Sequence, residues 1–277
     1  MSGLLNPVLA VAFLAGLPPR AVDMAPIDRR VLPSATIGSV GAARDTTLDA
    51  YLRRFRARYP LDSVVAGAPS DLERVRRLSR WVRTRFDHNG SNAATVSDPI
   101  AILDSAATGQ RFRCVEYAIV LAGALRAVGV PARTLGLQRA DVETAKCCAG
   151  HVVAEAWLRD ARRWVLVDGQ WDALAFRGDV PLDAVALRSA ILDGAPDLRV
   201  ESLSGTGTRG WTRWMQPYLH FMVHRPMRSD GVRDTLDVMF VPEGSTPPKL
   251  FQRQWPQSPY RVATSVDDFM APPTGAP

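Results

Sequence analysis

Lysine is almost missing from this chain. Of 34 basic residues among 277, only Lys146 and Lys249 are lysines. The formal charge is nevertheless +6 and the pI about 9.7, so the balance is carried by arginine. Such a surface suits polyanions in principle, but no nucleic-acid-binding motif accompanies it, and no nucleic-acid partner is expected. Long apolar runs are missing too. The run from Val8 to Leu17 is too short to cross a bilayer, so stable membrane insertion is not expected, yet it has the length of a signal-peptide core. No Lys or Arg precedes it and no clean small-x-small site follows. Residues 1–25 therefore read either as an export leader, which would place the protein in the periplasm or outside the cell, or as a buried or disordered leader of a cytoplasmic protein. Cysteine is scarce as well. Cys114, Cys147 and Cys148 cannot build a disulfide framework, because adjacent cysteines bridge each other only with strain and an odd one remains.

What is present is enough apolar material, 47% of the residues, for one large domain with decorations, placed at residues 40–245 with its core at 98–192. Leu48, Tyr51, Leu52 and Phe55 recur at helical spacing before Pro60. Next, Ser70 and Glu73 form a capping-box pair ahead of the stripe Leu72, Val75, Leu78, Val82 and Phe86. The arginines of this second segment fall mainly off the stripe and read as a solvated face. Ser97 or Asp98 can cap a short helix through "PIAILDSA". The run from Val115 to Val128 is apolar nearly all round, which predicts a central buried helix stopped by Gly129 and Pro131. Beyond it, "ARTLGL", "HVVAEAWL" and "RWVLVD" read as a three-stranded antiparallel sheet, and "VPLDAVALRSAILDG" as a helix ended by Gly194. "WTRWMQPYLHFMVHRP" is ambiguous between helix and strand, and the Pro-rich stretch 246–277 reads as irregular.

Cys114 stands where the loop "GQRFR" turns into the buried helix, so unsatisfied N–H groups and the positive end of the helix dipole face its sulfur. Helix N-termini favour the thiolate form of cysteine in general, and the thiolate is the reactive species. A buried structural cysteine is the alternative. The hairpin "HVVAEAWLRDARRWVLVD" adds to the case. With its turn centred on Asp160 and Ala161, Trp157 faces Trp164 and Val153 faces Asp168, which makes His151 a diagonal neighbour of Asp168 on one face. Ala154, Ala156, Val165 and Val167 take the other face, and a one-residue slip would separate the imidazole from the carboxylate. The sequence thus allows a thiol on a helix tip and an oriented histidine on a neighbouring sheet, the arrangement that activates cysteine for acyl transfer.

The segments "CVEYAIVLAGALRAVGVPAR", "GHVVAEAW" and "RWVLVDGQWD" resemble, in that order, the motifs of the transglutaminase-like superfamily. The resemblance implies an α+β, papain-like core in which a buried nucleophile helix packs on an antiparallel sheet, here with extra N-terminal helices. It also implies catalytic roles: Cys114 as nucleophile, His151 as general base and acid, and Asp168 as the group that orients the imidazole. Gln110 is the implied second oxyanion donor and Trp171 the implied cleft residue; their ordinary alternatives are a loop amide and a core tryptophan. Peptide or protein substrates are expected, with no cofactor and no metal. The superfamily contains crosslinkers, peptidases, amidases and inactive members. Because no calcium layout or flanking β-sandwich of the animal crosslinkers is apparent, hydrolysis of a peptide-like amide is favoured over crosslinking. The competing reading is a binding protein that uses the same cleft to hold peptide or glycan. A zinc site from Cys114, Cys147, Cys148 and His151 is poor on spacing, since adjacent cysteines seldom chelate one ion together. His220 and His224 share a face, but no carboxylate completes a ligand set.

Overall fold

In the computed structural model, residues 46–202, 207–226 and 236–273 are described. The leader read at residues 1–25 lies outside them. Helices α1 (Thr46–Arg58), α2 (Leu61–Val65), α3 (Asp71–Arg83), α4 (Pro99–Ala107) and α5 (Cys114–Ala127) come first. Strands β1 (Ala132–Gln138), β2 (Gly150–Leu158), β3 (Arg163–Asp168), β4 (Ala173–Arg177) and β5 (Val180–Pro181) follow, then α6 (Ala184–Leu192), β6 (Leu198–Ser202) and α7 (Gly207–Met215). The chain ends with β7 (Phe221–His224), β8 (Asp237–Phe240), β9 (Leu250–Phe251), β10 (Trp255–Pro256), β11 (Tyr260–Val262) and α8 (Val266–Phe269). The main sheet runs β11-β8-β7-β1-β2-β3-β4-β5, with β6 on β4, and is antiparallel except where β11 lies parallel to β8. This is the expected α+β architecture, with helices preceding an antiparallel-rich sheet.

Local chemistry sets the helix starts. The Ser70 hydroxyl accepts from the Glu73 N–H at 3.2 Å, but the Glu73 carboxylate turns to Arg77 at 2.8 Å, so only half of the capping box forms. Asp98 caps α4 by accepting from Ala101 N–H at 2.7 Å, with Pro99 in the first turn. The central helix α5 is buried along its length apart from Arg126, as its nearly all-apolar sequence requires, and Gly129 ends it in the left-handed region at φ +82°.

The sheet divides two cores. Ala132, Ala154, Ala156, Val165 and Val167 face α5, and their small or short side chains let the helix lie close. Leu135, Leu137, Val153 and Leu166 face the other way, toward α6, α7 and Phe269. Close approach is sharpest at Gly123 of α5. A Cβ there would stand 2.7 Å from Cγ of Pro99 and 3.3 Å from the Phe55 ring, so α4 would have to move. Gly123→Ala is therefore expected to cost about 1–3 kcal/mol through overpacking, despite alanine's better helix propensity. Urea unfolding monitored by circular dichroism checks this, and an unchanged or raised midpoint would contradict it.

Two stretches came out more ordered than their composition suggested. The ambiguous segment splits: helix to Met215, a 3-10 turn at Gln216–Tyr218, then strand β7. The Pro-rich stretch read as irregular holds β9, β10, β11 and α8. Its prolines sit between or at the ends of these elements, and its anchors are distant. Phe269 is fully buried, Ala271 O accepts from the Trp164 indole at 3.0 Å, and Gln252 N–H donates to Val142 O at 2.7 Å. No local periodicity can report such anchors.

Candidate active site

The tip of α5 is fixed by a buried carboxylate. Glu116, fully buried in the first turn, accepts from the Arg113 backbone N–H at 3.1 Å, the Arg113 guanidinium at 2.8 Å and the Ala94 N–H at 3.1 Å. One charged pair thereby holds both the loop that leads into Cys114 and the loop that passes beside it. A second tie comes from residues 87–89, which bridge Phe112 in parallel: Asn89 N–H donates to Phe112 O at 2.8 Å and Phe112 N–H to Asp87 O at 3.1 Å. Cys114 is thus held on a braced end, its residue only 2% exposed.

The hairpin register is the one its residues dictate. Trp157 pairs Trp164 and Ala154 pairs Val167, with a ring-centroid distance of 5.6 Å between the two indoles. Extended by one step, this register sets Val153 beside Asp168 and His151 on the diagonal. His151 Nε2 meets Asp168 Oδ2 at 2.9 Å, both side chains fully buried. The carboxylate is itself oriented. Oδ1 accepts from the Gln170 N–H at 3.1 Å, and Oδ2 from the Trp211 indole N–H at 3.3 Å. Gly169 lets this turn lie against α5, since a Cβ there would come within 3.2 Å of Leu121 and 3.4 Å of Tyr117 O.

The imidazole also interacts with the Cys114 thiol. Burial alone would push the His151 pKa down, but the Asp168 carboxylate and the Cys114 thiol outweigh it and raise it to about 10. That direction favours the protonated ring. Its Nδ1 is buried without a hydrogen bond of good geometry, while the Cys114 thiol is close enough to act on the ring.

Aromatic side chains wall this pair. Trp214 stands edge-on to the His151 ring at 4.8 Å, Tyr218 lies 6.0 Å from it, and Trp171 packs on Trp214 at 5.3 Å. Trp171 and Trp214 are half-buried. Gln110 is exposed on the loop before Cys114; its Oε1 accepts from Asn92 at 3.3 Å, and its contacts do not include the imidazole or carboxylate. Cys147 and Cys148 lie on the loop between β1 and β2, close before His151. His220 is bonded to Ser245 at 3.1 Å, and His224 is buried between Arg133 and Phe269 O.

Three contributions escaped the sequence reading, which weighed Trp211 only as a cleft or core aromatic. Trp211 lies 43 positions from the carboxylate it donates to, and tryptophan content alone favours a core role. Arg113 gives no signal because its partner Glu116 already looked explained by the helix dipole. His88 is half-buried, and burial first, then the charge of His151, pushes its pKa down to about 4, so it is a neutral imidazole near the site. Only the nonlocal bridge to Phe112 brings it there.

A model of the transglutaminase-like superfamily matches residues 61–169, a span that contains Cys114, His151 and Asp168. No curated protein matches the sequence. Similar solved structures include a candidate cysteine protease from Cytophaga hutchinsonii (12% identity over 63% of this chain and 52% of that one, TM-score 0.36). They also include a candidate protease from Parabacteroides distasonis (18% identity, 57% and 30%, TM-score 0.32) and the periplasmic domain of TgpA from Pseudomonas aeruginosa (22%, 47% and 50%, TM-score 0.33). The chain spans about half or less of the length of these structures. The family match runs from the start of α2 to the residue after Asp168, so residues 61–169 are similar to the transglutaminase-like superfamily within an α+β fold.

Proposed function

We propose that this protein is a cysteine-dependent acyl-transfer enzyme that hydrolyses peptide-like amides through a thioester on Cys114. The observation that carries the reading is the grouping of Asp168, His151 and Cys114: a buried carboxylate 2.9 Å from Nε2, and a thiol that acts on the same ring.

The chemistry follows from this grouping. The thiolate sulfur attacks the amide carbonyl carbon, a C–S bond forms, and the carbonyl oxygen becomes an oxyanion. The Cys114 backbone N–H lies in the first helical turn, where no intrahelical acceptor exists, and serves as one oxyanion donor. Gln110 serves as the second; Asn92 occupies its Oε1, which leaves the amide NH2 to donate. His151 then gives its Nδ1 proton to the leaving nitrogen and the C–N bond breaks. Water attacks the thioester, His151 takes the proton, and the C–S bond breaks. Asp168 keeps the imidazolium stable and aligned through both steps. Trp171 and Trp214 line the substrate side of the ring.

Incubation with a denatured protein mixture tests this reading. Wild-type protein should generate new α-amino groups, and quenching in acid should capture an acyl adduct on the tryptic peptide 114–126, which holds Cys114 and neither of the other cysteines. An adduct released as a new amide when primary amines are added would instead support crosslinking. Absence of both products, with substrate bound, would support the binding-protein reading.

A further inference from the structure

Cys147 and Cys148 take no part in the proposed chemistry, yet their geometry is unusual. The two sulfurs lie 2.6 Å apart, and Cys148 holds a left-handed backbone at φ +61°, which non-glycine residues rarely adopt. The loop is braced around them. Gln252 reaches Lys146 O with its side chain at 3.4 Å, Arg139 N–H donates to Ala149 O at 2.9 Å, and Glu143 accepts from the Lys249 and Leu250 N–H groups at 2.8 and 3.0 Å. Local strain that persists inside a braced loop points to a use rather than an accident.

We propose that Cys147 and Cys148 are a redox site, a dithiol that closes to a vicinal disulfide at the rim of the cleft and lowers the reactivity of Cys114. A sulfur–sulfur bond is about 2.05 Å long, so closure needs a movement of about half an ångström. Adjacent Cα atoms lie about 3.8 Å apart, short of the separation most disulfides adopt, so the closed ring is strained. Strain makes a disulfide easier to reduce, which suits a reversible couple and not a structural clamp.

The oxidant is a low-molecular-weight disulfide. Cys147, the more exposed thiol, attacks one of its sulfurs and expels one thiol; Cys148 attacks the resulting mixed disulfide at the Cys147 sulfur and expels the second. Two S–H bonds are lost, one S–S bond forms, and the two electrons leave with the oxidant. Closure is felt at the site because only Ala149 and Gly150 separate Cys148 from His151. Tyr218, beside the His151 ring, also senses the pair: burial first and then Cys148 raise its phenol to about 12 against the pull of Arg139.

The test is made on the full chain with oxidised glutathione, followed by trypsin. Peptide 147–159 carries the pair and peptide 114–126 carries Cys114, so each thiol set reads out separately. The proposal expects peptide 147–159 to lose two hydrogens reversibly with reduced glutathione, and iodoacetamide to label Cys114 more slowly in the oxidised protein. In Cys148→Ser the same peptide should carry a glutathione adduct instead. Persistent glutathione adducts on the wild-type peptide, linkage of that peptide to Cys114, or unchanged Cys114 labelling after closure would each overturn it. The substitution does not touch the catalytic grouping, so a failure here leaves the enzyme reading standing.

Discussion

Cys114→Ala protein is expected to lose hydrolysis by at least about a thousandfold while keeping its melting temperature within a few degrees. The loss is large because covalent catalysis has no substitute in the site. Cys147 and Cys148 lie on a separate loop and cannot take the place of a sulfur on the tip of α5. Stability should change little because the sulfur is a small part of a core that also holds Val115, Ile119 and Leu121 of the same helix. Turnover of a fluorogenic peptide amide together with thermal denaturation separates the two effects. Residual activity above about a tenth of wild type would mean that the thiol is not the nucleophile.

Asp168→Asn should lower kcat by about a hundredfold to ten-thousandfold with a smaller change in KM, since the carboxylate acts on the imidazole and not on the substrate. The pH profile carries the diagnostic part. In the wild type, burial lowers the His151 pKa and the Asp168 charge is the first force against it, leaving the value near 10. Without that charge, burial and the loss of an ion partner pull the value down. The alkaline limb of activity, which reports loss of the imidazolium proton, should therefore move toward acid. Stability obeys the same sign. A histidine whose folded pKa stands above its ordinary 6.5 contributes stability that is complete below pH 6.5 and is lost as pH rises toward 10. Wild-type protein should thus lose stability across that window more steeply than Asp168→Asn. Equal slopes in urea unfolding at pH 6.5 and 9.5 would contradict the assignment of the proton to His151.

Much of the fold was legible in the sequence. The helix of Cys114 announces itself through an apolar run with a glycine stop, and the indoles of Trp157 and Trp164 fix a register in which His151 must approach Asp168. What stayed hidden is nonlocal. The Trp211 bond to Asp168, the bridge that brings residues 87–89 to Phe112, and the parallel pairing of Tyr260–Val262 with β8 join segments whose own sequences say nothing of each other. Local composition even misleads in the last case, because prolines that punctuate short strands look the same in sequence as prolines in an unstructured tail.

The account rests on transfer of the Cys114 proton to His151, and alkylation kinetics reach it most directly. Iodoacetamide labelling of peptide 114–126 should be measured from pH 5.5 to 9.5 in wild type and in His151→Ala, with peptide 147–159 as the ordinary-thiol reference. Wild-type Cys114 should stay reactive at pH 6, more than about tenfold faster than in His151→Ala, whose rate should climb with pH as an ordinary thiol does. Superimposable profiles for the two proteins would contradict the ion pair, and with it the proposed chemistry.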